Sequence, residues 1–334
     1  MRRRTFLTVS NEGIDVSKAV AADVCLCNKS TGKLLIVEAA KFNVTEYPIS
    51  NYSPVGVVVI PGNHNVYGDG SCAVMSLKNM NCNTPDTGSI GFYGIYWGQY
   101  KVDISNMTNY NKVCYVGSNG TVNKAVQGVT DYAYLPSDRF TTVQNPYDKD
   151  TYFSYNDGES VIYYAPSPYN EDDTRNSTYY QTSSPSSSNN ALSDFDGVGN
   201  TNKLINLATA QTDWKTASTI INNDGKGYSP SACCCWRYHT DGTKQGDWYL
   251  PAMGELGYIM PKLNKINQAI RTLISAYGSS VGVPIAVTTG GQYWSSTEYS
   301  STGARNLYMT NGYVYDINQN DYGYYVKAFL RVGA

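Results

Sequence analysis

Residues 293–325 read YWSSTEYSSTGARNLYMTNGYVYDINQNDYGYY, and this stretch decides how the chain is built. Asn311-Gly312 is the strongest two-residue hairpin signal in the sequence, because both residue types accept the positive φ angles of a type I′ turn. It predicts strands over residues 305–310 and 313–317. The stretch holds eight Tyr, four Asn, four Ser and three Gly, with Trp294 the only other aromatic residue. Buried strands favour Val, Ile and Phe. Tyr instead supplies rigid contact area at low entropic cost, and Ser, Gly and Asn supply adaptable hydrogen bonds, which is the composition of a recognition surface. Cross-strand tyrosine packing in a half-buried sheet is the competing account. The Asn, Ser and Asp neighbours favour the surface. Downstream, Val326, Ala328, Leu330 and Val332 alternate inward, so residues 324–332 read as a core strand.

Working outward, residues 20–27 and 33–37 read as a hairpin joined by Asn-Lys-Ser-Thr-Gly. Residues 54–60, 72–77, 91–97, 112–116 and 132–135 read as further short strands between turns. From 136 to 193 the pattern fades into a Ser-, Pro- and Asn-rich stretch expected to be a long loop insertion. Two helices are expected next. Leu204, Leu207, Ala208, Trp214, Ala217, Ile220 and Ile221 mark the first, with Asn200 or Thr201 as its N-cap. Leu256, Ile259, Met260, Leu263, Ile266, Ile270, Leu273 and Ile274 mark the second, which Pro261 should kink or split and Gly278 should cap. Strands, two helices, then strands predict an α+β fold.

Charged residues make up only 16% of the 334-residue chain, and the net charge is −2. A neutral surface argues against nucleic-acid partners. The longest apolar run, residues 55–60, is far short of the ~20 residues of a spanning helix, so no membrane insertion is expected. The N-terminal MRRRTFLTVSNEG lacks a long apolar region and a cleavage site, so no signal peptide is read there.

The eight cysteines include the consecutive Cys233, Cys234 and Cys235. Adjacent cysteines pair poorly with each other, so the thiols are expected to be reduced, with Cys25 and Cys27 on one strand face. No CxxC pair occurs, and His64 and His239 are the only histidines, so no metal is assigned. Asp194, Asp196 and Asn200 form a fragment of a calcium loop without a closing Glu. A capped turn explains the same residues. Glu255, Glu298 and His239 are the acid–base candidates, and no Ser-His-Asp, Walker or GxGxxG arrangement accompanies them.

GDWYLPAMGEL (residues 246–256), QYWSSTE (292–298) and YVKAFLRV (325–332) together resemble the C-type-lectin fold in its formylglycine-generating-enzyme-like form. More narrowly, they resemble the variable proteins of diversity-generating retroelements in gut bacteria and their phages. DFDGVGNTNKLI (194–205) and GYSPSACCCWRY (227–238) fit the same pattern. The resemblance is carried mainly by residues 194–334.

It implies a C-type-lectin-like α+β domain with mixed or antiparallel strands, two main helices and long insertions. It further implies a C-terminal hairpin whose contact positions are diversified by adenine-directed mutagenesis. Those positions would be Tyr299, Ser300, Ser301, Arg305, Asn306, Tyr308, Thr310, Tyr313, Tyr315, Asp316, Asn318, Asn320, Asp321 and Tyr322. Trp248, Leu250, Pro251, Glu255, Trp294, Ser295 and Ser296 would be scaffold, with Ala304, Leu307, Val326 and Leu330. The fold's enzymatic relatives use paired C-terminal cysteines, and this sequence has none after Cys235, so no enzyme activity and no cofactor are expected.

The expected partner is a protein or glycan on a cell surface. Residues 1–50 are expected to form a small attachment or oligomerisation element, and 51–334 the ligand-binding domain with its insertion at about 136–193. The expected setting is a phage virion, a phage tail or the cytoplasm, or a cell surface reached by another route. A homo-oligomer, for instance a trimer, accompanies the virion reading. A carbohydrate-binding lectin with fixed Trp, Tyr and Asn contacts, or a structural virion component, are the alternatives.

Overall fold

The computed structural model describes residues 13–63, 66–98, 107–110, 141–144, 151–156, 161–164, 191–209, 229–287, 291–309, 313–318 and 323–333. The expected strands at 112–116 and 132–135 lie outside them, as does the expected helical stretch from Trp214 to Ile221. Strands β1 (Val24–Asn28) and β2 (Lys33–Val37) pair antiparallel, as the hairpin reading predicts. Asn28 builds the turn: its side-chain oxygen accepts the Ser30 N–H at 3.0 Å and the Ser30 hydroxyl at 2.7 Å. Gly32 closes it with φ +69°, a left-handed conformation that suits glycine.

Strands β3 (Tyr52–Ile60) and β4 (Cys72–Ser76) continue the sheet. Strands β5 (Thr141–Gln144), β6 (Thr151–Asn156) and β7 (Val161–Tyr164) form a separate three-stranded antiparallel meander within the expected insertion. Strands β8 (Trp248–Tyr249) and β12 (Phe329–Val332) complete the main sheet, whose order is β2-β1-β3-β4-β12-β8 with every neighbour antiparallel. The expected boundary at residue 50 is therefore corrected. Hydrogen bonding of β1 to β3 makes the first hairpin one edge of the main sheet. Residues 91–97 contribute only an isolated bridge, Ile95 to Tyr324.

Both faces of this sheet are covered, which is why β3 reads as a nearly continuous apolar run. One face buries Val24, Leu26, Val57 and Met75 against helix α4 (Leu263–Tyr277), through Ile266, Ile270 and Leu273. Each of those three side chains contributes roughly 1.5–3 kcal/mol relative to exposure. The other face buries Cys25, Cys27, Val58 and Val74 against helix α2 (Pro230–Arg237), through Cys233, Cys234 and Cys235. Cys25 and Cys27 do share a face.

Helix α1 (Gly197–Thr209) starts earlier than expected. Asp196, rather than Asn200 or Thr201, accepts a first-turn amide, the Gly199 N–H at 3.0 Å. Helix α3 (Met253–Ile259) is separated from α4 by a 3₁₀ turn at Met260–Lys262 that contains Pro261. Gly278, with φ +101°, ends α4 by donating its N–H to the Ile274 carbonyl at 2.8 Å. The architecture is α+β with antiparallel sheets and four α-helices among the described residues, the expected second helix being split at Pro261 into α3 and α4. The one helix not expected is α2, where three cysteines mask the pattern. No helix among the described residues is long and apolar enough to cross a membrane.

Candidate ligand-binding face

The tyrosine-rich stretch folds into a third antiparallel sheet, β9 (Gln292–Ser300), β10 (Gly303–Tyr308) and β11 (Tyr313–Asn318), in the order β11-β10-β9. Tyr308 pairs with Tyr313, so β10 and β11 form a hairpin, but in a register two residues off the Thr310–Tyr313 pairing that a two-residue Asn-Gly turn predicts. Gly312, Asn311 and Thr310 themselves lie outside the described residues.

Pairing of β9 with β10 is interrupted opposite Arg305: Ala304 sits across from Glu298 and Asn306 across from Trp294. The resulting bulge at Ser295, Ser296 and Thr297 turns small hydroxyl residues into ties. The Ser295 hydroxyl donates to the Arg305 carbonyl at 2.8 Å. Ser296 N–H donates to the Pro251 carbonyl at 2.7 Å. The Thr297 hydroxyl donates to Asp194 at 2.7 Å and accepts the Met253 N–H at 2.8 Å. Loss of the Ser295 or Thr297 hydroxyl would leave buried polar groups unpaired.

Two indoles pin the sheet from below. Trp294 Nε1 donates to the Ile95 carbonyl at 2.7 Å, and Trp97 Nε1 donates to the Ser295 carbonyl at 2.6 Å. Trp248 donates to the Thr243 hydroxyl at 3.0 Å. The Thr201 hydroxyl brackets Leu250, accepting its N–H at 3.0 Å and lying 3.2 Å from its carbonyl. Glu255 accepts from the Ala252 N–H at 2.7 Å, the Tyr67 hydroxyl at 2.7 Å and the Tyr249 hydroxyl at 3.0 Å. Burial nevertheless pushes the Glu255 carboxyl up to about 8. Trp248, Leu250, Pro251, Glu255, Trp294, Ser295 and Ser296 are all buried.

The expected contact residues divide between two faces of the sheet, because neighbours on a strand point oppositely. Leu307 and Val314 pack into the core with Met253 and Leu256 of α3. Arg305 shares their face and is 0% exposed, beneath the Tyr299 ring at 4.6 Å. Its Nε donates to the Tyr110 carbonyl at 3.1 Å, and its Nη1 lies 3.8 Å from Asp316. Asn306 is also 0% exposed, on the opposite face, and neither atom of its amide has a hydrogen-bond partner among the described residues. Arg305 and Asn306 are therefore corrections: the structure buries both instead of displaying them.

Tyr299, Ser300, Ser301, Tyr308, Tyr315 and Asp316 are half-buried, so part of each reaches the surface. Tyr308 and Tyr315 lie on the Asn306 face with ring centroids 6.4 Å apart. Burial pushes the Tyr315 phenol up. Tyr313 and Asn318 belong to β11, but their side chains lie outside the described residues, as do Asn320, Asp321 and Tyr322 entirely.

One surface aromatic escapes a reading centred on the C-terminus. Phe92 is 60% exposed and meets the edge of Tyr325 at 4.5 Å, and Tyr325 stacks on Tyr293 at 5.0 Å. The aromatic and glycine alternation of GFYGIYWGQY, residues 91–100, is the signal that marks it.

The remaining polar candidates are absorbed by the fold. Asp194 accepts from Thr297, from Asn200 Nδ2 at 2.8 Å and from the Asp196 N–H at 3.1 Å. That arrangement is a hydrogen-bonded tie between α1 and β9, and no group of three or more metal-ligating side chains occurs among the described residues. His239 Nδ1 lies 3.1 Å from the Arg237 carbonyl. Lys327 is buried, donates to the Leu77 carbonyl at 2.7 Å and the Val283 carbonyl at 3.1 Å, and burial lowers its ammonium to about 7. No protein-family model, curated protein or solved structure matches the chain.

Proposed function

We propose that this protein is a non-enzymatic ligand-binding protein of the receptor or adhesin type, with the β9–β11 sheet and its loops as the contact surface. The observation that carries this reading is the contrast within one sheet. Its base is tied by Trp97, Trp294 and the Ser295–Thr297 bulge, while Tyr299, Ser300, Ser301, Tyr308, Tyr315 and Asp316 reach the surface. A rigid base lowers the entropic cost of presenting aromatic contacts. The strongly shifted ionisable groups, Glu255 and Lys327, are buried among tyrosine hydroxyls and backbone carbonyls, a placement suited to framing.

The motif resemblance extends the proposal. The domain is C-type-lectin-like, its half-buried hairpin residues are the diversified positions of a retroelement variable protein, and its ligand is a protein or glycan on a cell surface. A phage tail or bacterial surface adhesin would use such a face, and a trimer would multiply weak contacts.

A library randomised at Ser300, Ser301, Tyr308 and Tyr315, sparing the Arg305 partners Tyr299 and Asp316, tests this. Most members should melt within a few degrees of the parent, and selection on immobilised proteins should enrich binders that differ only at those positions. Widespread unfolding of the library would overturn the reading. Glycan binding abolished by a chelator would favour a lectin with fixed contacts instead.

A further inference from the structure

Cys82 and Cys234 are separated by 152 residues, yet their sulfurs lie 2.8 Å apart. Both are free and buried. This separation is far closer to the ~2.05 Å of a covalent S–S bond than an ordinary thiol contact is. We propose that Cys82 and Cys234 are a disulfide-forming modification site, closed by exchange with a low-molecular-weight disulfide such as oxidised glutathione.

The sulfurs are held together by bonds that do not involve them. Asp86, four residues after Cys82, accepts Arg237 in bidentate geometry: Nε to Oδ1 at 2.8 Å and Nη2 to Oδ2 at 2.9 Å. Arg237 follows Cys234 by one helical turn, so it projects from the same side of α2. The His239 N–H adds a bond to the Asp86 carbonyl at 3.1 Å. The loop after β4 is thus fastened to the end of α2, which keeps the effective concentration of one thiol near the other high. Cys233 and Cys235 are also buried, and among the described residues only Cys234 has its sulfur at 2.8 Å from that of Cys82.

The exchange balances as two steps. The Cys82 thiolate, on the loop beside the exposed Asn83 and itself 3% exposed, attacks the external disulfide and expels one thiol. The Cys234 thiolate then attacks Cys82 Sγ, forming the protein disulfide and expelling the second thiol. Two protein thiols are oxidised and one small disulfide is reduced to two thiols. Burial pushes the Cys234 thiol up, so the second step should quicken as pH rises.

The link has a place in the architecture. The loop that follows Cys82 leads to Ile95 and Trp97, whose backbone and indole anchor Trp294 and Ser295 beneath the tyrosine-rich sheet. A disulfide at its start would staple that anchor to α2. This inference does not rest on the ligand-binding reading.

The test is peptide mapping of the intact chain after incubation with oxidised glutathione, blocking of remaining thiols and digestion without reductant. The expected product is one cross-linked peptide pair joining Cys82 to Cys234, a loss of two hydrogens in intact mass, and a melting temperature several degrees higher that dithiothreitol reverses. Cys82→Ser should abolish the cross-link, and Cys234→Ala should leave a glutathione adduct on Cys82. Should a variant fail to fold, the map of the unaltered chain still decides. Recovery of Cys82 and Cys234 as blocked free thiols at every oxidant concentration would overturn the proposal, as would cross-links confined to other cysteines.

Discussion

The indole of Trp97 donates its hydrogen bond to the backbone carbonyl of Ser295, at 2.6 Å and across 198 residues of chain. It joins a loop of the first hundred residues to the bulge of β9. Trp97→Phe keeps most of the ring volume and removes the donor, leaving a buried carbonyl unpaired. Such a loss costs about 1–3 kcal/mol, and urea denaturation monitored by circular dichroism should show it as a lower midpoint with an unchanged slope.

Asn306 and Arg305 should respond in opposite directions, although they are adjacent. Asn306 is buried with both amide atoms unpaired among the described residues, so Asn306→Leu removes a desolvation penalty and should be neutral or stabilising by ~1 kcal/mol. Arg305 is engaged by Tyr110, Asp316 and Tyr299, so Arg305→Ala should destabilise by about 3 kcal/mol. Thermal and chemical denaturation of the two variants check this. A destabilising Asn306→Leu would mean that the amide has a partner in solution.

Glu255 links stability to pH. Its folded-state value is about 8, against 4.5 for the ordinary carboxyl. Between those values the unfolded chain loses a proton that the folded chain keeps. The contribution is therefore fully present below pH 4.5 and is lost as pH rises through 8. Melting temperature should fall across that window, and Glu255→Gln should flatten the fall. Asp194, also raised by burial, acts in the same direction, so some slope should survive the substitution.

Tyr308→Ala and Tyr315→Ala should separate stability from binding. Both rings are half-buried on the outer part of the hairpin, so each substitution should cost at most about 1 kcal/mol of stability. On a ligand recovered by selection, each should weaken affinity at least tenfold, about 1.4 kcal/mol. Surface plasmon resonance with melting curves on the same samples distinguishes this from a packing role, in which stability would fall and affinity would follow it.

Local chemistry made much of the fold legible in the sequence. Asn311-Gly312 announced the β10–β11 hairpin, Pro261 the break between α3 and α4, Gly278 the end of α4, and residues 54–60 a strand. Each rests on a φ preference, a missing donor or a hydrophobic period, all carried by neighbouring residues. The tyrosine-rich stretch could likewise be read as a hairpin. Which of its side chains reach the surface was decided elsewhere. Alternation along β10 offers two equivalent faces, and α3, together with the backbone of Tyr110, covers the one that carries Arg305 and Leu307. The loop at Ile95 and Trp97 braces Trp294 and Ser295 from almost two hundred residues away. Strand period is a property of the chain itself. Solvent exposure depends on what packs against a strand, and here those partners lie from 40 to 200 residues distant in sequence.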